Sequence, residues 1–425
     1  MIGKSIKESL IKKSFKPITI VDIEEAREVI KGFVDQTSLR ASPPIAELKD
    51  TKLYFKFENQ QVTGSFKIRG ALNKMNSLTE AEKKHGVVAS SAGNHAQGVA
   101  LAAQKAGVKA HIVMPTTAPI VKINATRSYG AEVILHGDVY DDAYLHAREL
   151  EKEKSYTFVH PYEDEKIIAG QGTIGLEIFE KLPEIDSVVI PIGGGGLISG
   201  IATALKTLKP SIKVFGVVSD QAPNMRELFK KQNLTDKNLK KISTIAEGIA
   251  IKHASPLMCE TYISRLVDDI FEVSDDEIAR AIVFLLEKSK TVTEGSGAAG
   301  LAAVFSGKIP LGKTSCVLLC GGNIDLNIVS KVIERGQRVA NRLARISVIV
   351  NDLPGNLSRL TSVMAEQRAN ILEVYHDRVS PELGLRETRI DLLVETTSNE
   401  HISAIEAELK KTLGCRSVTT TQSHK

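Results

Sequence analysis

Ser187-Val188-Val189-Ile190-Pro191-Ile192-Gly193-Gly194-Gly195-Gly196-Leu197 is the stretch on which the fold turns. An apolar, β-branched run of strand length ends in four consecutive glycines, and a helix-length segment from Leu197 to Leu208 follows. A run with no polar alternation suits a strand covered on both faces, as in a parallel sheet. Four residues without Cβ let the backbone N–H groups of the turn converge on an anion, and the positive end of the next helix adds to that field. The dinucleotide pattern G-x-G-x-x-G fails in every register, because Ile198 and Ser199 stand where its third glycine should be. No Lys-Ser/Thr follows to make a P-loop. A tight strand-to-helix turn would rarely need four glycines, so the stretch reads as a cradle for a phosphate or carboxylate.

The same grammar extends outward. Val87-Val88-Ala89, His111 to Met114, Glu132 to Leu135, Val214 to Val218 and Cys316 to Cys320 alternate with helix-length segments such as Asn94 to Ala106. That alternation predicts an α/β protein with parallel sheets wrapped by helices. Ser274 and Glu277 form a capping-box pattern ahead of Ile278, Ala281, Ile282 and Leu285, which share one helical face. After about residue 335 the pattern changes. A basic stretch, Arg335 to Arg345, leads into a predicted strand Ile346–Val350, a turn Asp352-Leu353-Pro354-Gly355-Asn356 and a helix Leu357–Gln367. Strands near 371–379 and 385–395, a helix Glu400–Leu413 and a last strand near 415–420 complete a β-α-β-β-α-β order in about eighty residues. A domain boundary near residue 340 follows.

Composition excludes several classes. The 425 residues are 42% hydrophobic and 25% charged, too ordinary for a disordered chain or a polytopic membrane protein. Fifty-five Lys+Arg against 51 Asp+Glu leave a net charge of +4, too small to imply nucleic acid as a partner. Cys259, Cys316, Cys320 and Cys415 form no C-x-x-C pair and no disulfide framework, which fits a reducing, cytoplasmic setting. Lys4, Lys7, Lys12, Lys13 and Lys16 precede no apolar run of signal-peptide length, so neither a secretory signal nor a membrane span is expected.

Two further sites carry chemistry. In Thr63-Gly64-Ser65-Phe66-Lys67-Ile68-Arg69-Gly70-Ala71, Lys67 sits among small and apolar neighbours in a turn-like setting. A lysine drawn out of water, or set near another cation such as Arg69, has its amine pKa lowered and can act as nucleophile or base. A solvated surface lysine is the bland alternative. Ala89-Ser90-Ser91-Ala92-Gly93-Asn94-His95 is again strand, turn and helix. It reads either as a nucleophile elbow with Ser91 at its tip, or as a second anion nest opening a helix. Ala89 in place of the elbow's first glycine, and no evident acid–His partner, weaken the hydrolase reading. No two of the ten histidines are spaced i,i+3 or i,i+4, and no Cys–His cluster has zinc spacing, so no metal site is expected.

Taken in order, Lys56-Phe57-Glu58-Asn59, Thr63 to Lys67, Ser91-Ala92-Gly93-Asn94-His95, Gly193 to Leu197, Glu294-Gly295-Ser296-Gly297-Ala298 and Cys320-Gly321-Gly322-Asn323 resemble the fold-type II pyridoxal-phosphate enzymes, and among them the threonine/serine dehydratases. The tail, with Asp352-Leu353-Pro354-Gly355, resembles an ACT domain. The resemblance implies two open, twisted parallel-sheet lobes in a catalytic domain spanning 1–335, the smaller lobe roughly 52–155. It implies a ferredoxin-like regulatory domain over 340–425. By the same resemblance Lys67 would carry pyridoxal 5'-phosphate covalently, beside Phe66. Gly193, Gly194, Gly195, Gly196 and Leu197 would hold its phosphate, Asn94 would bond its ring hydroxyl, and Cys320 would face its pyridine nitrogen. Ser91, Ala92, Gly93, Asn94 and His95 would hold the substrate carboxylate through backbone N–H groups. Asp352, Gly355, Asn356 and Leu357 would mark an amino-acid effector site in a homo-oligomer, dimer or tetramer.

The implied activity is dehydration and deamination of L-threonine, and of L-serine, to a 2-oxo acid and ammonia. A serine dehydratase or another β-eliminating enzyme is the nearest alternative, and a Ser91 hydrolase a remote one. Two departures narrow the choice. Ala92 stands where racemases of this fold place a serine, which disfavours racemisation. Val218 stands where some relatives carry an acidic ligand for a divalent metal.

Overall fold

The computed structural model describes residues 15–45, 48, 50–231 and 242–421. Lys4, Lys7, Lys12 and Lys13 lie outside the described residues. The chain divides into two compact units, residues 1–278 with 285–324, and residues 279–284 with 325–425.

The first unit holds two sheets. The larger has the order β1-β2-β10-β7-β8-β9, built from β1 (Leu39–Ala41), β2 (Lys52–Lys56), β7 (Ser187–Pro191), β8 (Lys213–Ser219), β9 (Asp269–Val273) and β10 (Thr314–Leu318). Only the β1–β2 pair is antiparallel. The smaller is all parallel, in the order β5-β4-β3-β6, from β3 (Val87–Ser90), β4 (Ala110–Met114), β5 (Glu132–Leu135) and β6 (Thr157–Phe158). Every residue of β3, β7 and β10 is buried, as unbroken apolar runs under helices on both faces require. The helices Glu165–Lys181 and Gly196–Leu208 pack so closely that a Cβ on Gly200 would lie 2.3 Å from the Ile168 carbonyl oxygen. The capping box before Asp275–Lys288 is formed on both sides, by Ser274 Oγ on the Glu277 N–H and Glu277 Oε2 on the Ser274 N–H.

Two boundaries differ from expectation. The second unit begins at residue 325 and not near 340, because the helix Leu326–Val339 packs on residues 279–284, where a Cβ on Gly336 would lie 2.6 Å from the Ala279 carbonyl oxygen. Lys52–Lys56, placed by the family resemblance at the start of the smaller lobe, pairs in parallel with β10 in the larger sheet. The smaller sheet is made from residues 87–158 alone. A five-residue strand with Leu53, Phe55 and Lys56 buried fits either sheet, and its neighbours decide.

The second unit carries β11 (Leu343–Asn351), β12 (Asn370–Asp377), β13 (Glu387–Glu395) and β14 (Ser417–Thr421) in an antiparallel sheet ordered β12-β13-β11-β14. Ile346, Val348 and Val350 alternate inward, and the helices Asn356–Glu366 and Asn399–Leu413 cover that face with Leu360, Val363, Met364, Ile402, Ile405 and Leu409. This is the β-α-β-β-α-β order the sequence implied. The basic stretch completes the helix Leu326–Val339, and β11 starts at Leu343, ahead of the expected Ile346, because Leu343 and Ala344 are buried and pair with Glu395 and Val394.

Candidate active site

Parallel strands put their carboxyl ends, and the helix N-termini that follow, on one edge of a sheet. Here the edges of both sheets in the first unit open onto one cavity of about 920 Å³. Its lining includes Phe66, Lys67, Ser91 to His95, Gly193 to Leu197 and Cys320, so every site residue inferred for this unit meets in one place.

The glycine loop follows β7 and starts the helix Gly196–Leu208, with Gly195 at φ +98°. A Cβ on Gly194 would lie 2.1 Å from Cδ1 of Tyr162, and one on Gly193 2.8 Å from the Gly248 carbonyl oxygen. The first intrahelical bond joins Ser199 N–H to Gly195 O, so earlier N–H groups of the turn have no helical acceptor and suit an anion. A second nest follows β3. Gly93 caps the helix Asn94–Ala106, whose first bond runs from Gln97 N–H to Gly93 O, and a Cβ on Gly93 would meet only open space.

Lys67 is not in a turn. It is the first residue of the helix Lys67–Asn76, with Phe66 as the buried cap residue, and its Nζ donates to the Pro161 carbonyl at 3.1 Å. Burial lowers its pKa to about 8. Arg69 is not the cause. That guanidinium is buried away from the cavity, bonded to Glu58 at 2.8 and 2.9 Å and to Glu177 at 2.6 Å. Lys56 completes this buried cluster through Glu177 and the Thr37 carbonyl.

Cys320 is buried next to the cavity, its Sγ on the Ser296 carbonyl at 3.5 Å, and burial pushes the thiol well above its ordinary value. It stays a neutral thiol. Ser296 Oγ also borders the cavity, with no hydrogen-bond partner among the described residues. Asn94 donates from Nδ2 to Glu294 Oε1 at 2.7 Å, and burial raises the Glu294 carboxyl to about 7.

Ser91 Oγ accepts the Gly93 N–H at 3.2 Å, whereas His95 Nε2 sits 2.9 Å from the Val159 carbonyl. Ser91 and His95 are each bonded elsewhere and not to one another, and burial first, then Lys67, depress His95 to about 3. Sequence reasoning also missed Glu294 as a side chain, Tyr162, and His160. The last accepts the Glu163 N–H at 2.7 Å and packs edge-on to Tyr162 with centroids 4.6 Å apart. Their only local signal was the quoted motif containing Glu294.

In the second unit, Gly355 (φ +89°) caps the helix Asn356–Glu366. Asn356 Nδ2 donates to the Asn351 carbonyl at 2.7 Å and its Oδ1 accepts from Arg359. Asp352 accepts from Arg378 Nε at 3.0 Å, and Leu357 is exposed. Among the described residues no group of three or more His, Cys, Asp or Glu side chains is placed to hold a metal ion, and no helix is long and apolar enough to cross a membrane.

A glycine turn without Cβ atoms, a desolvated amine, an amide and a neutral thiol around one cavity fit pyridoxal phosphate, and comparison with known proteins points the same way. An L-threonine ammonia-lyase of Thermotoga maritima is 45% identical over 392 residues, 92% of this chain and 97% of that one. The processed form of threonine deaminase isoform 2 from Solanum lycopersicum superposes with a TM-score of 0.68 at 35% identity, covering 74% of this chain and 86% of that one. Maize serine racemase superposes with a TM-score of 0.69 at 34% identity, covering 74% and 97%. Residues 30–321, which build both sheets of the cleft, match the family model "Pyridoxal-phosphate dependent enzyme", and the chain belongs to that family.

Proposed function

We propose that the chain is an L-threonine ammonia-lyase that also accepts L-serine, releasing a 2-oxo acid and ammonia. The observation that carries this reading is Lys67. Its amine is desolvated at the mouth of a helix, in the same cavity as the glycine cup and Cys320. When bound, pyridoxal phosphate supplies the electron sink that makes the substrate Cα–H acidic. Gly193 to Leu197 would hold its phosphate, Asn94 its ring hydroxyl, Cys320 its pyridine nitrogen and Lys67 its aldehyde carbon.

The chain's own residues do the rest. With its pKa at about 8, Lys67 Nζ has an appreciable free-amine fraction near neutrality and takes the Cα proton as general base. The N–H groups of Ser91 to His95 fix the substrate carboxylate, which aligns Cα–H with that amine. A neutral Cys320 thiol cannot stabilise a protonated pyridine nitrogen as a carboxylate would. A neutral group at Cys320 would suit loss of the Cβ hydroxyl, with a proton, as water. Ala92 brings no hydroxyl to the cavity to return a proton from the other face, so elimination is favoured over racemisation.

Residues 340–425 of the second unit would act as an ACT regulatory domain of a cytoplasmic homo-oligomer, with an amino acid bound near Asp352 to Leu357. Gly355 and the first turn of the next helix support an anionic group there. Such a ligand regulates only by binding two catalytic states unequally.

Borohydride treatment of the coloured protein, followed by peptide mapping, should fix the label on Lys67. L-threonine should yield 2-oxobutanoate and ammonia, with an amino-acid effector changing the rate. A colourless, unlabelled protein with esterase activity would overturn the reading.

A further inference from the structure

We propose that Asn323 is a positioning residue, whose side-chain amide decides which end of the Asn94 amide is presented to the cofactor. This rests on the reading above, in which Asn94 serves the cofactor's ring oxygen.

The reasoning starts from a group with no ambiguity. Asn323 Nδ2 lies 2.8 Å from the backbone carbonyl of Thr63, which can only accept. The end of the Asn323 amide facing it must therefore be the NH₂. Its other hydrogen lies toward Asn94, 2.8 Å from Oδ1. The Asn94 oxygen is thus committed to Asn323, and its nitrogen faces Glu294 Oε1 at 2.7 Å. One backbone carbonyl orients two side-chain amides in series. An amide has two N–H donors, so Asn94 retains one beyond the bond to Glu294.

The backbone around Thr63 is shaped for this. Thr63 has φ +70°, an uncommon value for a β-branched residue, and Gly64 follows at φ +72°. A Cβ on Gly64 would fall 2.4 Å from Asn323 Oδ1, so glycine makes the room in which that amide lies. Gly322 N–H bonds to Gly64 O at 2.9 Å, and Ser65 bridges to Gly321. This strained corner is thereby tied to the segment that carries both Cys320 and Asn323. Asn323 and Asn94 are 229 residues apart, so only the folded chain makes the relay.

A donor beside the ring oxygen stabilises its anionic form, whereas an acceptor repels it. The cofactor joined to Lys67 reports this directly. With the shared proton on nitrogen and the oxygen anionic it absorbs in the visible, and with the proton on oxygen it absorbs in the near ultraviolet. Asn323→Asp sets acceptors against Thr63 O and Asn94 Oδ1 and turns the Asn94 oxygen outward. At fixed pH the visible-to-ultraviolet ratio of the holoenzyme should fall about tenfold, the order of one lost hydrogen bond to a charged group. Asn323→Ala, which removes both donations without adding charge, should shift the ratio in the same direction. In an Asn94→Ala background neither change should move it, since the effect travels through Asn94.

An unchanged ratio in both Asn323 variants, or an equal shift with Asn94 absent, would overturn the proposal. So would loss of both bands accompanied by an altered far-ultraviolet circular dichroism spectrum, which marks a purely structural role. If borohydride does not label Lys67 in the unaltered enzyme, the reading of the site fails and takes the proposal with it. A labelled enzyme with an insensitive band ratio sinks Asn323 alone.

Discussion

Arg69→Met should be among the most damaging single changes near the cleft, through charge rather than shape. Arg69, Lys56 and Glu58 are fully buried and Glu177 nearly so, two cations against two carboxylates. The guanidinium grips Glu58 with two bonds, reaches Glu177, and also donates to Thr173 Oγ1 and the Asp35 carbonyl at 3.1 Å each. Methionine fills much of the volume but leaves one carboxylate without a counter-charge. Breaking a buried pair in this way costs about 3–5 kcal/mol, a large share of a domain's total of about 5–15. Glu58→Gln alone should cost a similar amount, by stranding a cation. The double variant restores the balance, with Lys56 against Glu177, and should lose little more than one single change. The coupling would then be about 3 kcal/mol or more.

Urea unfolding of the three variants and the parent at pH 7 gives these values. The pH dependence adds a signature. In the parent, burial pushes the Glu58 carboxyl up but Arg69 and Lys56 more than offset it, holding it below its ordinary value. Its contribution is therefore present above the unfolded carboxylate value and fades as pH falls through the lower folded one. In Arg69→Met the larger part of that opposition is gone, only Lys56 remaining, and Glu58 should titrate higher than in the parent. The deficit should be largest at neutral pH and narrow below about pH 5, as the stranded group takes a proton. Additive losses in the double variant, or a deficit independent of pH, would refute the charge argument.

Three other outcomes follow from the site. Gly194→Ala places a methyl 2.1 Å from the Tyr162 ring, so the apoprotein's affinity for pyridoxal phosphate, measured by fluorescence titration, should fall at least about tenfold. Below about pH 8 Lys67 is mainly ammonium; the rate at which the apoprotein condenses with pyridoxal phosphate should rise with pH and level off above that value. A rate still climbing beyond pH 10 would show an ordinary lysine. Cys320→Asp puts a carboxylate where a neutral thiol now sits and should lower lyase turnover by about tenfold or more; unchanged kinetics would remove the thiol's role.

Local patterns were legible because local physics makes them. The four-glycine turn, the capping box at Ser274 and the two periodicities of the tail each depend on residues a few positions apart, whose dihedrals and facing sides are set by chain geometry. Arg69 shows where such reading stops. Two residues from Lys67, it looked like a neighbouring cation that would depress the amine, yet it belongs to Glu177, 108 residues on. Lys52–Lys56 had the composition of a strand, but nothing in five residues names the sheet they join.

The sequence by itself determined the alternating α/β class, the four-glycine turn after β7 and the order of the tail, since each is written in nearest-neighbour sterics and hydrophobic period. Only the tertiary structure decided that burial lowers the Lys67 pKa, that Glu294 meets Asn94 across 200 residues and that Asn323 sets the sense of that amide. Desolvation and hydrogen-bond partnership depend on what the folded chain brings within a few ångströms, and separation along the sequence does not encode that distance.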